Sequence, residues 1–234
     1  MKTFSLLTTT LSVLLVCSGL FVGTASFAAS LKPFSLTYDA KSGKKSLGLL
    51  EVSLVAEGDT YTLTTITKPG KMAQMLGGSE SSETVSFTNS ENGWALEGFH
   101  QIRRGRKAGE TTVTKSSDQY AISTNGGKPY EISNKIVVEP TTYPIAPLTT
   151  SAAGLDGVDV MIIRRAGFRA HRYEYLGEEI LTIAGKSYQT HKLRRAETQK
   201  TGRWYTIWVD IHSNHLVKME RNKKGRLSSI ELIK

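Results

Sequence analysis

The chain has 234 residues, 39% of them hydrophobic, a single cysteine and a formal net charge of +9. That length and apolar content suit one β domain of ordinary size, and one cysteine excludes a disulfide framework and a thiolate-rich zinc site. The excess of Lys and Arg points to anionic partners.

In chain order, the first segment reads as an export signal. Lys2 supplies a positive charge, residues 6–22 are apolar with scattered Ser and Thr, and residues 23–30 are mostly small. Signal peptidase accepts small side chains one and three positions before its cut. Ser26-Phe27-Ala28 therefore predicts cleavage before Ala29, with Gly23-Thr24-Ala25 as the alternative. The apolar run is also long enough for an uncleaved membrane anchor, against which the small-residue region argues. Cys17 follows Leu14-Leu15-Val16. Val16 is large for the last position of a lipoprotein signal, so a lipid anchor on Cys17 stands only as an alternative. The expected organisation is a signal peptide over residues 1–28 and a single β-rich periplasmic domain over residues 29–234. Cleavage leaves no thiol, so an oxidising compartment adds no disulfide and the core must hold the fold alone. Nucleic acid is the usual partner of so basic a chain. Export removes it and leaves anionic lipid or an envelope protein.

Strand signals dominate the rest. Phe34-Ser35-Leu36-Thr37-Tyr38 alternates apolar and polar residues, as a half-buried strand does. Residues 49–55 and 60–67 follow across the turn Glu57-Gly58-Asp59, the second run rich in β-branched side chains. Residues 84–88 and 94–99 flank Asn92-Gly93 in a hairpin pattern. Residues 111–115 and 120–124 make another, and Asn125-Gly126-Gly127 turns the chain into residues 130–132. The pattern continues over 173–177, 179–183, 188–193, 204–209, 216–220 and 227–233. Turns at this spacing predict an all-β, mainly antiparallel fold, with a single curved sheet forming a barrel or half-barrel. Two stretches break the alternation. Residues 71–76, between Gly70 and Gly77-Gly78, hold good helix formers and predict one or two helical turns. Residues 140–156 hold three prolines and read as a long crossover with a short helix over 149–155.

No catalytic constellation stands out. Gly185-Lys186-Ser187 lacks the upstream glycine of a phosphate-binding loop, Ile180 standing in its place. Ser42-Gly43-Lys44-Lys45 has Ser-x-x-Lys spacing but lies between two strands and lacks companion motifs, so it reads as a hairpin tip. Glu178 and Glu179 are adjacent along a strand and face opposite ways. His212 and His215, with Asp210, are the candidate metal ligands, because imidazole and carboxylate suit zinc or copper. The segment reads as a turn, and no metal or cofactor is expected. Basic residues bunch at Arg103, Arg104, Arg106 and Lys107, at Arg164, Arg165, Arg169 and Arg172, and at Arg221, Lys223, Lys224 and Arg226. Such bunches are expected at strand edges and hairpin tips, and they attract anionic head groups.

Tyr175-Leu176-Gly177-Glu178-Glu179-Ile180, Ile183-Ala184-Gly185-Lys186, Trp208-Val209-Asp210 and His215-Leu216-Val217-Lys218 form a pattern with the opening strand and Gly48. In it the chain resembles DUF3108, a family of bacterial periplasmic proteins catalogued as a domain of unknown function. The resemblance covers most of the chain after the signal. It implies an exported β-rich barrel or half-barrel with no established enzyme activity and no catalytic residues to carry over. Tyr143-Pro144-Ile145-Ala146-Pro147 departs from it, standing where the family has an acidic helix start. Trp208 is expected to pack into the core and Asp210 to open a tight turn. The expected function is that of a non-enzymatic envelope protein binding an apolar or lipid-like ligand in or on the barrel. Met72, Met75 and Leu76 are the candidate ligand-binding residues, as a flexible lid or as a plug of the barrel mouth. The alternatives are a scaffold docking a protein or cell-wall partner and an uncharacterised hydrolase, which needs a nucleophile beside a base in a cleft.

Overall fold

The computed structural model describes residues 31–234 apart from 76, 91–92, 106–107, 117–118, 125–129, 134–136, 141, 150–156, 165–166, 199, 201 and 224. The predicted signal peptide, Cys17, Leu76, Arg106, Lys107, Arg165, Lys224 and nearly all of the helix predicted over 149–155 lie outside the described residues.

The first half is a meander of β1 (Phe34–Ser42), β2 (Lys45–Glu57), β3 (Thr60–Pro69), β4 (Ser81–Ser90), β5 (Gly93–Arg103), β6 (Gly109–Ser116), β7 (Gln119–Thr124) and β8 (Tyr130–Ser133), with α1 (Lys71–Met75) between β3 and β4. The second half comprises β9 (Val137–Glu139), α2 (Ala146–Thr149), β10 (Val158–Arg164), β11 (Gly167–Ile183), β12 (Lys186–Glu197), β13 (Arg203–Asp210), β14 (Leu216–Lys223) and β15 (Arg226–Leu232). Pairing of β1 with β15 joins the halves into one curved fifteen-stranded sheet. Its edges, β8 and β9, are consecutive in the chain. Residues 133 and 137 can therefore lie no more than ~14 Å apart, and the sheet curls toward a barrel with an unpaired seam there. Every pairing is antiparallel except β9 with β10.

Alternation places one set of side chains inside. Phe34, Leu54, Leu63, Val85, Phe99, Val113 and Ile122 stand in register across β1 to β7 and form an apolar row on the inner face. Each fully buried apolar side chain of this kind contributes about 1.5–3 kcal/mol. The parallel pair sets the path of the crossover. β9 ends where β10 ends, so the chain must travel back along the barrel before β10 begins. It does so on the inside: Val138, Tyr143, Ile145, Ala146 and Leu148 belong to the core. The hydroxyls of Tyr38 and Tyr143 are 3.0 Å apart, and Tyr38 donates to the Leu216 carbonyl at 2.8 Å. This segment occupies the interior of the curved sheet.

The structure corrects several expectations. Residues 173–177 and 179–183 are one strand, β11, whose pairing shifts between Tyr175 and Gly177, where Gly177 takes φ +104°. The apparent break in the sequence is a β-bulge. The crossover contains α2, which meets the helix predicted over 149–155 only at Thr149, and the Glu139 carboxylate accepts the N–H groups of Ile145 and Ala146 at 3.2 Å each. Trp208 is buried, but outside the core cluster. It lies opposite Lys192 and Lys218 on the outer face, with both ammonium groups over its ring and its indole N–H donated to Glu179 at 3.1 Å. Asp210 does open the turn: its Oδ2 accepts the backbone N–H of Ser213 at 3.0 Å.

Candidate functional site

Antiparallel order sends alternate turns to the same end of the barrel. The turns after β1, β5, β10, β12 and β14, and the α1 connection after β3, share one end. Lys44 and Lys45, Lys68 and Lys71, Arg103 and Arg104, Arg164 and Arg169, Lys200 and Arg203, and Lys223 and Arg226 therefore meet there. Their nearest described carboxylates are few, Glu80 and Glu197 among them. At the opposite end the described turns carry Glu57, Asp59 and Asp210 with Lys186. The basic bunches that lie far apart in sequence thus form one positive cap.

Helix α1 sits within this cap. Gly77, at φ +82°, donates its N–H to the Gln74 carbonyl at 2.9 Å, and Gly78 donates to Ala73 at 2.7 Å. These are the two bonds of a Schellman C-cap, which glycine permits because it bears no Cβ. A Cβ on Gly78 would meet the Ala73 carbonyl oxygen at 2.6 Å. The helix buries none of its residues: Met75 is 88% exposed and Met72 47%. Beside it, Lys68, Gln74, Gly77, Gly78, Glu80 and Arg104 line a cleft of about 550 Å³. Met72 and Met75 are thus exposed apolar side chains at the basic end.

Beneath the cap the inner face is polar. On one side Gln101 and Thr142 donate to Glu83 Oε2 at 2.7 and 3.1 Å. Burial pushes the Glu83 carboxyl up to about 7, although those two hydrogen bonds and Arg103 pull it down. On the other side Tyr173 donates to Glu139 Oε1 at 2.5 Å and Arg195 Nη1 donates to the same oxygen at 3.1 Å. The Arg195 guanidinium also lies 4.6 Å from the Tyr205 ring centroid. Burial opposes the charge on Arg195, yet Tyr173, Glu139 and Tyr205 hold its pKa above the usual arginine value. Glu197 pairs with Arg169 at 2.8 Å and lies opposite His171 across β11 and β12. Burial, then Arg195 and Arg164, push the His171 imidazole down to about 3, so it is neutral near pH 7.

Glu83, His171 and Arg195 escape a reading that looks for motifs. Their signal is one of phase: each lies two residues from an inward apolar side chain, Val85, Tyr173 and Leu193 respectively. A side chain two along a strand faces the same way. Glu139 has no such signal, because its three-residue strand is too short to show a period.

The candidate metal ligands stand at the opposite end. His212 is exposed, while His215 packs on Phe34 with ring centroids 4.9 Å apart, and its burial lowers its pKa. The Asp210 carboxylate is held by Ser213, whose hydroxyl donates to it at 2.5 Å. Leu31, Phe34, His212 and His215 share the lining of a pocket of about 320 Å³. Among the described residues no three His, Cys, Asp or Glu side chains gather as a metal site. Ser42 and Lys45 flank a hairpin tip at Gly43, φ +58°.

A single curved, almost wholly antiparallel sheet wrapped around its own crossover defines a β-barrel-like protein. No family model and no curated protein matches the chain. Among solved structures it is similar to a β-barrel-like protein of the domain of unknown function DUF1849 from Brucella abortus, with a TM-score of 0.55. That likeness covers 87% of this chain and 97% of the other at 9% sequence identity, and is one of fold.

Proposed function

We propose that the chain is an exported, non-enzymatic protein of the bacterial cell envelope that binds anionic lipid through the basic end of its barrel. The observation that carries this reading is the placement of exposed Met75 and Met72 inside the positive cap. Apolar tips that enter the head-group region, ringed by cations that attract anionic lipid, are the two components of peripheral membrane attachment. Each Lys or Arg near such a surface contributes about 1 kcal/mol. Val138, Tyr143, Ile145 and Leu148 pack into the core inside the curved sheet, which supports apolar contact at the rim over a lipid tail held inside. The apolar start of the sequence and its resemblance to the periplasmic family DUF3108 support export. Among the described residues no helix is long and apolar enough to cross a membrane.

Cosedimentation of the purified protein with vesicles tests this. The protein is expected to pellet with vesicles of equal parts phosphatidylglycerol and phosphatidylcholine, less so at high salt, and not with phosphatidylcholine alone. Met75→Glu should weaken the binding. Equal binding to both vesicle types, or none to either, would refute the reading.

A second reading, an interaction scaffold, draws on the outer face. Ser35, Ser53, Thr64, Thr84, His100, Thr112 and Ser123 stand in register across β1 to β7, a row of mostly short hydroxyl side chains fit for a polar partner such as cell-wall glycan. Crosslinking in cells separates the readings: adducts placed on this row, with no lipid dependence, would favour the scaffold.

A further inference from the structure

We infer that the inner face of the basic end holds a specific site for a phosphate-class oxyanion, built by Arg164 of β10, His171 of β11 and Arg195 of β12. Membrane attachment needs only the outer rim, so this inference is independent of that reading.

The first argument is one of unmet hydrogen bonds. His171 and Arg195 are both 0% exposed. Among the described residues, both ring nitrogens of His171, Nε and Nη2 of Arg195, and Nε of Arg164 are buried without a partner. Buried polar groups are otherwise almost always bonded, and an orphaned group signals an ion or water or a functional role. Register brings two of these residues together: His171 stands opposite Glu197, which is two residues along β12 from Arg195. His171 and Arg164 feel the charges of Arg195 and Arg169, and Arg164 faces the Tyr205 hydroxyl.

The second argument is one of charge. Arg164, Arg169 and Arg195 are served by Glu139 and Glu197 alone in this cluster. Glu139 is committed to Arg195, Tyr173 and the start of α2. Glu197 binds Arg169 through Oε1, while its Oε2 is buried without a hydrogen bond and lies 3.9 Å from Arg203. Among the described residues no ion pair joins the half-buried Arg164 to a carboxylate. A buried charge needs a counter-charge and saturated hydrogen bonds. Water would supply the bonds without the charge, whereas a tetrahedral oxyanion supplies both and matches the arginine fork. Entry is from the rim, where the side chains of Arg169 and Arg203 are 37% and 29% exposed.

The anion is either free phosphate or the phosphate of a lipid head group. Two probes separate these sources: inorganic phosphate, and a short-chain phosphatidylglycerol kept below micelle formation. The readouts are calorimetric titration and the NMR signals of the His171 ring in the wild-type protein. Binding of either probe should shift the His171 signals, and Arg164→Gln should weaken that binding at least tenfold while a thermal melt shows the variant folded. Response to phosphate alone assigns the free anion, and response to the lipid assigns the head group. Should Arg164→Gln fail to fold, the His171 shift in the wild type still decides. No binding of either probe overturns the site. So does binding that leaves the His171 signals unmoved or survives Arg164→Gln, since it then belongs to the outer surface. Loss of vesicle attachment with phosphate binding retained would sink the membrane reading and leave this site standing.

Discussion

Glu83 shows what one inward residue does to the pH response of the whole molecule. Its carboxyl titrates near 7 in the fold against 4.5 when exposed, because burial favours the neutral form. The native state therefore binds the proton more tightly. The stabilisation is complete below pH 4.5 and is lost as the pH rises through about 7. Glu83→Gln keeps the acceptor for Gln101 and Thr142 but cannot ionise. The variant should be more stable than the wild type at about pH 8 by about 2–3 kcal/mol, with the difference shrinking toward pH 5, as read by urea unfolding. An unchanged pH slope would place the titration elsewhere. His171 acts in the opposite sense. Its pKa is depressed from 6.5 to about 3, so its contribution is complete above pH 6.5 and is lost as the pH falls toward 3. In Glu83→Gln that acid-side loss should therefore stand out. Neither shift follows from residue type alone. Phase in the strand hints that both side chains point inward, but burial of the far side of the barrel creates the shift.

At the scale of elements, the crossover is the part whose position the sequence leaves open. Three prolines and weak periodicity over 140–156 show a long crossover but not which side of the sheet it takes, and Tyr143, Ile145 and Leu148 are core residues. An irregular segment can be buried only if its backbone groups find partners, and here Glu139 supplies two acceptor bonds to it. The packing gives a graded prediction. Tyr143→Phe loses the hydroxyl contact with Tyr38 and should cost about 1 kcal/mol. Tyr143→Ala leaves a cavity at the centre of the sheet and should cost about 3–5 kcal/mol. Equal, small losses in chemical denaturation would mean that the segment does not fill the core. The hairpins, by contrast, are legible. Gly48 stands next to the shift in pairing between Ala40 and Lys41, at φ +143°, where a Cβ would lie 2.2 Å from the Lys68 carbonyl oxygen. Only glycine fits such an approach.

Across the whole molecule, charge is divided by topology. Basic residues that are scattered along the chain share one end because antiparallel strands return alternate turns to it. The reading as an anionic-lipid binder then predicts a difference between ends. Lys44→Glu with Lys45→Glu should lower affinity for anionic vesicles by roughly 30-fold or more, since two attractive charges near the surface become repulsive. Lys186→Glu, at the start of β12 at the opposite end, should leave affinity unchanged. Equal losses from both changes in vesicle flotation would indicate a response to net charge and not to a docking face.

The sequence by itself determined the all-β class, most strand positions, the α1 turns and the Asp210 turn. Each rests on local chemistry: period-two alternation, Gly and Asn at turns, helix formers between glycines. The tertiary structure alone decided that β1 meets β15, that the crossover lies inside, that Trp208 lies outside the core and that the basic bunches coincide. It also left both ring nitrogens of His171 and two nitrogens of Arg195 buried without a partner among the described residues. Those outcomes depend on which strands become neighbours, and alternation fixes only which way a side chain points, not what it meets.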